Sequence, residues 1–262
     1  NLSLIQLYNG EFKKGFVNYN SRLKFPSLTK NKIQTDEPIW SPLVKIKNQV
    51  IIWPEQGLGD FILYSRFFND LPSQGNHFRV LTHPKLKPLL ERSFPKINFI
   101  TKIDSDEIDQ HLPIGDLAKF YINNFNDVKK RSEAYISVNK TRAKKINQLL
   151  PEGKKICGIS WISNNSKIGK NKSMTLEDMR ELLLLPDVIF VDLQYTDTSE
   201  ERSDFKKKYG VDILKINEVD NFNDLDGLAS LINVCDSVVS VSNTTVHIAG
   251  SIGKKTYLMT PK

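Results

Sequence analysis

Cysteine, long apolar runs and clusters of metal-ligating residues are scarce in this sequence of 262 residues. The two cysteines, Cys157 and Cys235, each stand in an apolar stretch with no C-x-x-C or Cys/His cluster nearby. This pattern argues against a zinc site and indicates two buried thiols in a reducing compartment. No apolar run approaches the roughly 20 residues that a membrane-spanning helix needs. We therefore expect a cytoplasmic protein with no metal site and no integral membrane segment.

An initiator methionine and a signal peptide are also missing. The first residues, "NLSLIQLYNGEF", interleave polar and apolar side chains and contain no A-x-A cleavage site. The sequence stops abruptly at "TYLMTPK". We expect an internal fragment of a longer protein.

The surplus of basic residues is modest. Lysine and arginine number 37 against 30 aspartates and glutamates, so the formal net charge is +7. A basic protein can bind nucleic acid, but the basic runs, such as residues 129–131, are short and lack interleaved aromatic residues. The simpler explanation is a lysine-rich surface. We expect no nucleic-acid partner, and a positive potential that suits a small anionic ligand.

Strand patterns alternate with helical patterns from residue 44 onward. "QVIIW" precedes "DFILYSRFFNDL", and "KKICGISW" precedes "TLEDMRELLLL". This alternation predicts an α/β fold with parallel sheets wound by helices, and a break near residues 140–153 divides it into two similar halves. We predict Rossmann-like domains over residues 44–150 and 151–262 that face each other, with a ligand in the cleft at the carboxyl ends of the strands.

The first 43 residues precede this alternation and have a different pattern. Residues 1–25 read as helix, turn and helix, and residues 26–43 contain three prolines and predict a linker. The pair of helices resembles one tetratricopeptide unit. A simple helical extension at the N-terminus explains the pattern equally well.

A glycine turn, "EQGLGD" at residues 55–60, joins the first strand of the α/β region to its first helix. Gly57 and Gly59 allow the backbone to approach a ligand, and the following helix N-terminus favours anions. The motif is neither a complete G-x-G-x-x-G fingerprint nor a P-loop. Asp60 has two interpretations: a helix cap, or a general base that projects into a cleft. Gln56 lies in the same turn.

Polar segments follow two strands of the second half. "VSNTTVHIAG" at residues 241–250 opens a helix with Thr244 and Thr245 and is typical of a phosphate cradle, although the same residue types are also good N-caps. His247 lies about one turn into that helix. The loop over residues 160–174 carries Lys170 and Lys172, and lysines in such a loop can neutralise a diphosphate.

Four further polar residues complete the candidates. Lys167 lies in the same polar loop. In the first half, "DQHLPIGDLAKF" contains Asp109, His111 and Asp116, which could line a cleft. A serine hydrolase is not indicated, because no G-x-S-x-G elbow occurs. No D-x-D motif stands where it could hold a metal for a diphosphate.

Together these blocks resemble the tetratricopeptide-linked glycosyltransferases, which are similar to bacterial ADP-heptose heptosyltransferases and distantly to O-GlcNAc transferases. "EQGLGD" with its aromatic-rich helix, "GISW" with its lysine-rich loop, "FVDLQY" and "SNTTVHIAGSIGK" follow the family order over nearly the whole chain. The resemblance implies a GT-B fold and metal-independent transfer of a sugar from a nucleotide-diphosphate sugar to a hydroxyl of a glycan or protein, with no cofactor.

The same resemblance assigns roles to residues. Asp60 is implied to be the base that deprotonates the acceptor hydroxyl, near the turn residues Gln56, Gly57 and Gly59. The donor side is implied to include Lys172, Ser242, Asn243, Thr244, Thr245 and His247 around the diphosphate and Gln194 and Tyr195 along the nucleoside.

Two departures from the family pattern limit these assignments. The chain ends where the family continues with a segment that packs back on the first domain, so we expect the last domain to be truncated at its C-terminal end. Ser242 stands where heptosyltransferases have an aspartate, which argues against ADP-heptose itself as the donor. The alternative function is a catalytically inactive glycosyltransferase-like module that serves as a binding scaffold.

Overall fold

The computed structural model describes residues 2–25, 32–44, 46, 49–72, 77–103, 108–164 and 169–260. The chain divides into two compact units, Asn1–Glu133 and Ala134–Lys262. Each unit contains one parallel sheet with helices between its strands.

The first unit is built on a four-stranded parallel sheet with the strand order β3-β2-β1-β4. Its strands are β1 (Val50–Trp53), β2 (Phe78–Leu81), β3 (Asn98–Ile100) and β4 (Gln110–Pro113). Its helices are α1 (Leu2–Tyr8), α2 (Phe12–Tyr19), α3 (Leu58–Ser65), α4 (Lys87–Ser93), α5 (Leu117–Tyr121) and α6 (Phe125–Lys129). Central β1 is buried along its whole length, as expected for a parallel strand covered on both faces.

The second unit has a five-stranded parallel sheet with the order β7-β6-β5-β8-β9. Its strands are β5 (Lys155–Ser160), β6 (Val188–Asp192), β7 (Ile213–Leu214), β8 (Ser237–Val241) and β9 (Thr256–Met259). Its helices are α7 (Lys140–Asn147), α8 (Gly169–Lys172), α9 (Arg180–Leu183), α10 (Ser199–Tyr209), α11 (Leu225–Val234) and α12 (Thr244–Ser251). The predicted alternation of strands and helices is therefore confirmed as an α/β fold with parallel sheets.

The division between the units comes earlier than the hydrophobic pattern indicated. The pattern placed it at residue 150, with α7 as a connecting helix, whereas the two units separate between Glu133 and Ala134. Helix α7 packs in the second unit, where the Arg142 guanidinium forms a salt bridge and a hydrogen bond with the carboxylate of Asp224. Because this contact joins residues far apart in the sequence, a local pattern does not reveal it.

The helix predicted over "TLEDMRELLLL" is shorter in the structure. Asp178 accepts hydrogen bonds from both the backbone N–H and the hydroxyl of Thr175, each at 2.8 Å. Such local side-chain bonds compete with helical backbone bonds. Regular α-helix therefore begins only at Arg180.

The N-terminal hairpin is part of the first unit. Helices α1 and α2 pack against each other at Gly15, where an added Cβ would lie 2.7 Å from Leu7. The segment predicted as a linker also contributes, because Trp40 is 1% exposed and its backbone N–H donates to the carbonyl of His111 at 2.8 Å. None of the described helices combines the length and the apolar character of a membrane span.

Both cysteines are buried free thiols in the second unit. Burial raises the pKa of Cys157, and it raises the pKa of Cys235 to about 12. The expectation of two buried thiols is met.

Candidate functional site

The carboxyl ends of β5 and β8 lie side by side in the second sheet, although β6 and β7 separate these strands in the sequence. The strand order reverses between them, which makes this the switch point where α/β sheets bind ligands. The polar loop after β5 and the segment "SNTT" after β8 therefore meet at one edge of the sheet. The sequence predicted that both of these segments bind a diphosphate.

Asn243 ties these two segments together. It is the N-cap of α12, where its side-chain oxygen accepts from the backbone N–H of Thr245 at 3.0 Å. Its side-chain amide donates to the Ser160 hydroxyl at 2.7 Å and to the Ile162 carbonyl at 3.1 Å. The amide oxygen and the amide nitrogen of Asn243 both form hydrogen bonds inside the protein. The side chain therefore holds the two segments together at the switch point.

Gln194 plays a similar internal part and does not lie open along a nucleoside path. Its side chain is 0% exposed, and its Oε1 accepts from the hydroxyl of Ser160 and the backbone N–H groups of Trp161 and Ile162 at 3.0–3.1 Å. The neighbouring Tyr195 is partly exposed, and its hydroxyl accepts from the Asn164 backbone N–H at 2.8 Å. Of the two predicted nucleoside residues, only Tyr195 presents side-chain surface.

Lys172 reaches the opening of α12. Its Nζ lies 3.4 Å from the Ser242 hydroxyl, so residues 70 positions apart in the sequence meet in space. The loop turns tightly at Gly169, where an added Cβ would lie 2.2 Å from the Ser163 carbonyl oxygen. Among the described residues, no carboxylate forms a salt bridge with Lys172. Lys170 is exposed, and Lys167 lies outside the described residues.

The first turn of α12 offers further polar groups. Thr244 is partly exposed at its start, and Thr245 is 0% exposed. The Thr245 hydroxyl has no hydrogen-bond partner in the part of the chain that the structure describes. His247 is partly buried one turn further on. The N–H groups of a helix's first turn also point toward its N-terminal end, which favours an anion there.

Asp60 in the first unit is not a capping residue. It lies in the first turn of α3, whose N-cap is Gly57, and no side chain forms the cap hydrogen bond. In the described ranges, no hydrogen bond or salt bridge engages the Asp60 carboxylate. Neither Gly57 nor Gly59 has a positive φ, so no unusual backbone angle requires glycine at these positions. An added Cβ at Gly57 would meet only the Asp60 carboxylate, at 3.8 Å.

A buried ionic cluster supports this glycine turn, and the sequence did not reveal it. Arg22 donates to both carboxylate oxygens of Glu55, at 2.5 and 2.8 Å, and to Asp116 at 2.7 Å. Glu55 also accepts from the Gly115 backbone N–H at 2.8 Å, and Lys119 forms a salt bridge with Asp116. The Arg22, Glu55 and Asp116 side chains are each at most 3% exposed. Asp116 therefore belongs to the interior and does not line an open cleft.

The glycine turn borders a shallow depression next to Asp60. Gln56, Gly57, Asp60 and Tyr64 contribute its rim, together with the apolar side chains of Phe61 and Ile114. In the sequence, the one sign of the buried ionic cluster is the carboxylate of Glu55 at the start of the glycine turn. The partner residues are 33 and 60 positions away, so no local signal could have identified them.

His111 and Asp109 are also placed inside the first unit. The His111 Nδ1 accepts a hydrogen bond from the indole N–H of Trp53 at 3.0 Å, and the side chain is 7% exposed. Asp109 accepts from the Gln49 backbone N–H at 2.7 Å. His111 therefore packs against the core, contrary to its predicted place in a cleft, because β4 is covered by the segment around Trp40.

The His111 environment predicts a pH-dependent stability. Burial, followed by the positive charge of Lys32, lowers the pKa of His111. The unfolded chain, with a histidine pKa of about 6.5, then binds the proton more readily than the folded chain. The contribution to stability is present above the unfolded-state pKa and is lost as the pH falls below about 6.5. Urea unfolding across this range should show a smaller loss for His111→Asn than for the wild type; equal slopes would contradict this.

No group of three or more histidine, cysteine, aspartate or glutamate side chains suited to a metal ion occurs within the described ranges.

No protein-family model matches the chain. Among curated proteins, the chain is similar to Protein FlbA of Caulobacter vibrioides, with 26% identity over 279 aligned residues. The match covers 98% of this chain and 46% of the relative, so the chain spans about half the length of the curated protein it matches.

Two solved structures share the fold. One is a family 9 glycosyl transferase from Veillonella parvula, with a TM-score of 0.59, 13% identity and coverage of 83% of this chain and 82% of that chain. The other is the ADP-heptose lipopolysaccharide heptosyltransferase II of Escherichia coli, with a TM-score of 0.55, 12% identity and coverage of 80% and 84%. The α/β fold with parallel sheets is therefore that of these glycosyltransferases, while the tetratricopeptide character of the hairpin stays a prediction.

Proposed function

We propose that the chain is a metal-independent glycosyltransferase that moves a sugar from a nucleotide-diphosphate sugar to a hydroxyl group of a glycan or protein. The observation that carries the proposal is the meeting of Lys172 with Ser242 at the opening of α12. It joins a lysine that has no carboxylate partner among the described residues to a helix N-terminus at the switch point of the sheet. The fold shared with two glycosyltransferases supports the same assignment.

The donor diphosphate would lie at the opening of α12. The Lys172 ammonium and the first-turn N–H groups supply positive charge, and the Thr244 and Thr245 hydroxyls supply hydrogen bonds. Asn243 and Gln194 would hold the two strand ends in place from inside. Tyr195 presents side-chain surface at this edge and would contact the nucleoside.

The transfer step needs a base for the acceptor and stabilisation for the leaving group. The acceptor oxygen attacks the anomeric carbon of the donor while the bond from that carbon to the diphosphate oxygen breaks. Asp60 takes the acceptor proton, and the diphosphate leaves with the electron pair of the broken bond. Lys172 and the α12 N-terminus stabilise the negative charge that develops on the diphosphate. This fixed positive charge supports a reaction that needs no metal.

A thermal-shift panel tests the donor site. UDP, GDP, ADP and CMP and a few of their sugars are added with Mg²⁺ or with EDTA. A ligand at about 100 times its dissociation constant adds about 2.7 kcal/mol of stability. A shift with one nucleoside diphosphate in EDTA would support the proposal and identify the donor class. If no nucleotide shifts the melting temperature, the donor site fails and the inactive scaffold becomes the better account.

Lys172→Ala should weaken binding of the nucleoside diphosphate identified by that panel. The loss of a charge-assisted hydrogen bond is expected to cost about 1.5–3 kcal/mol of binding free energy. Isothermal titration calorimetry measures the change in the dissociation constant. The matched control is Lys170→Ala, which removes an exposed lysine from the same short helix. Equal dissociation constants for the two variants would reject the role of Lys172.

A further inference from the structure

The N-terminal hairpin reaches the glycine turn through two residues, Tyr19 and Arg22. Tyr19 ends α2, and Arg22 lies in the 3-10 helix Asn20–Lys24 that follows. The Arg22 guanidinium lies 4.4 Å from the centre of the Tyr19 ring and donates to the Tyr19 carbonyl at 3.1 Å. The two side chains therefore hold each other in one arrangement.

Tyr19 is hydrogen-bonded to Gln56, one of the polar residues beside Asp60 in the depression. Its hydroxyl accepts a hydrogen bond from the Gln56 side-chain amide at 3.0 Å. Tyr64, which lies one helical turn after Asp60 on α3 and lines the same depression, interacts electrostatically with Tyr19. Burial, followed by the neighbouring Tyr19, raises the pKa of Tyr64.

Arg22 holds the same turn at the preceding residue, Glu55. Its two bonds to Glu55 fix the residue that directly precedes Gln56. A bidentate arginine–carboxylate pair constrains orientation as well as distance. The hairpin thus restrains consecutive residues of the turn, Glu55 through Arg22 and Gln56 through Tyr19.

We infer that Tyr19 and Arg22 are positioning residues for the acceptor side of the site. They orient the Gln56 amide and the turn that carries Asp60, so that the acceptor hydroxyl is held toward the base. This inference rests on the proposed function, and it gives the N-terminal hairpin a positioning role in catalysis. Small displacements of a reacting group lower rates strongly, since a misplacement of about 1 Å can cost ~10²-fold.

The experiment compares Tyr19→Phe with the wild type. This substitution removes one hydroxyl and keeps the ring on which Arg22 lies. The matched control is Tyr8→Phe, because Tyr8 belongs to the same hairpin and is 90% exposed. The reaction followed is the release of nucleoside diphosphate from UDP-, GDP- and ADP-hexoses, with water as the acceptor. Amide hydrogen exchange over residues 54–64 reports the order of the turn without any need for activity.

The expected result is a loss in rate that is separate from donor binding. Tyr19→Phe should lower kcat, expressed per nucleotide-binding site, by about tenfold and leave the donor KM within about twofold. Exchange over residues 54–64 should become faster, while Tyr8→Phe changes neither quantity. A merely destabilising substitution would reduce the number of binding sites and leave kcat per site unchanged. Arg22→Lys keeps the positive charge but cannot form the paired hydrogen bonds to Glu55. It should likewise lower kcat per site and leave the donor KM nearly unchanged.

Failure of this inference can be told apart from failure of the proposed function. If the wild type releases nucleoside diphosphate and Tyr19→Phe matches it in kcat per site, the inference is overturned and the proposed function stands. If the wild type binds and hydrolyses no nucleotide sugar, the proposed function is overturned, and the catalytic positioning role falls with it. Unchanged exchange over residues 54–64 in both Tyr19→Phe and Arg22→Lys would also overturn the inference.

Discussion

Asp60→Asn is expected to lower sugar transfer by ~10²-fold or more, the usual scale for loss of a general base. Asparagine keeps the size and shape of the side chain but cannot accept the acceptor proton. Nucleotide binding should persist, because the proposed donor groups belong to the second unit. The measurement is the initial rate of transfer or donor hydrolysis at saturating donor, together with the dissociation constant of the nucleoside diphosphate.

Asp36→Asn provides the control for this substitution. Asp36 is an exposed aspartate of the same unit, so its loss changes the net charge by the same amount. The control should keep the wild-type rate. Equal rates for Asp60→Asn and the wild type would remove Asp60 from the mechanism, and the base would have to be sought elsewhere.

Arg22→Met is expected to lower the free energy of unfolding by about 3–5 kcal/mol. Methionine is of similar length, but it leaves the carboxylates of Glu55 and Asp116 buried without their shared cation. Removing one partner of a buried ion pair is costly because the remaining charge is not solvated. Urea unfolding, with the free energy extrapolated to zero denaturant, measures the difference.

Arg180→Met is the matched surface substitution. Arg180 forms a salt bridge with Glu177 at 3.9 Å, and both side chains are about half exposed. Exposed pairs of this kind contribute roughly 0–1 kcal/mol. If Arg22→Met costs no more than Arg180→Met, the cluster does not hold the hairpin and the glycine turn together energetically.

Much of the secondary structure was predictable because its signals are local. Apolar runs such as "VIIW" and "KICGIS" became central parallel strands, and Asp224 caps α11 as its residue type suggests. Strand β4 was missed because "QHLP" begins with two polar residues. The backbone of His111 pairs with the segment around Trp40, which lies about 70 residues earlier in the sequence.

For the candidate donor site, the sequence suggested residues but not the way in which they are arranged. The sequence proposed Lys172, Thr244 and Thr245 from residue type and position after a strand, and their role in donor binding stays a prediction. It placed Gln194 on a nucleoside path, whereas the structure buries that side chain under the β5 loop. Residue type marks a polar group near a strand end, but only packing decides whether it faces outward or inward.

The sequence by itself determined the α/β class, the two sheets and the segments in which polar residues follow strands, because these depend on periodicities of a few residues. The tertiary structure alone decided which distant residues meet. It brought Lys172 to Ser242, and it joined Arg22 of the hairpin to Glu55 and to Asp116, 94 positions away. The physical reason is that a buried charge is stable only when the fold places an opposite charge beside it. The partner can come from any part of the chain, so sequence spacing does not predict it.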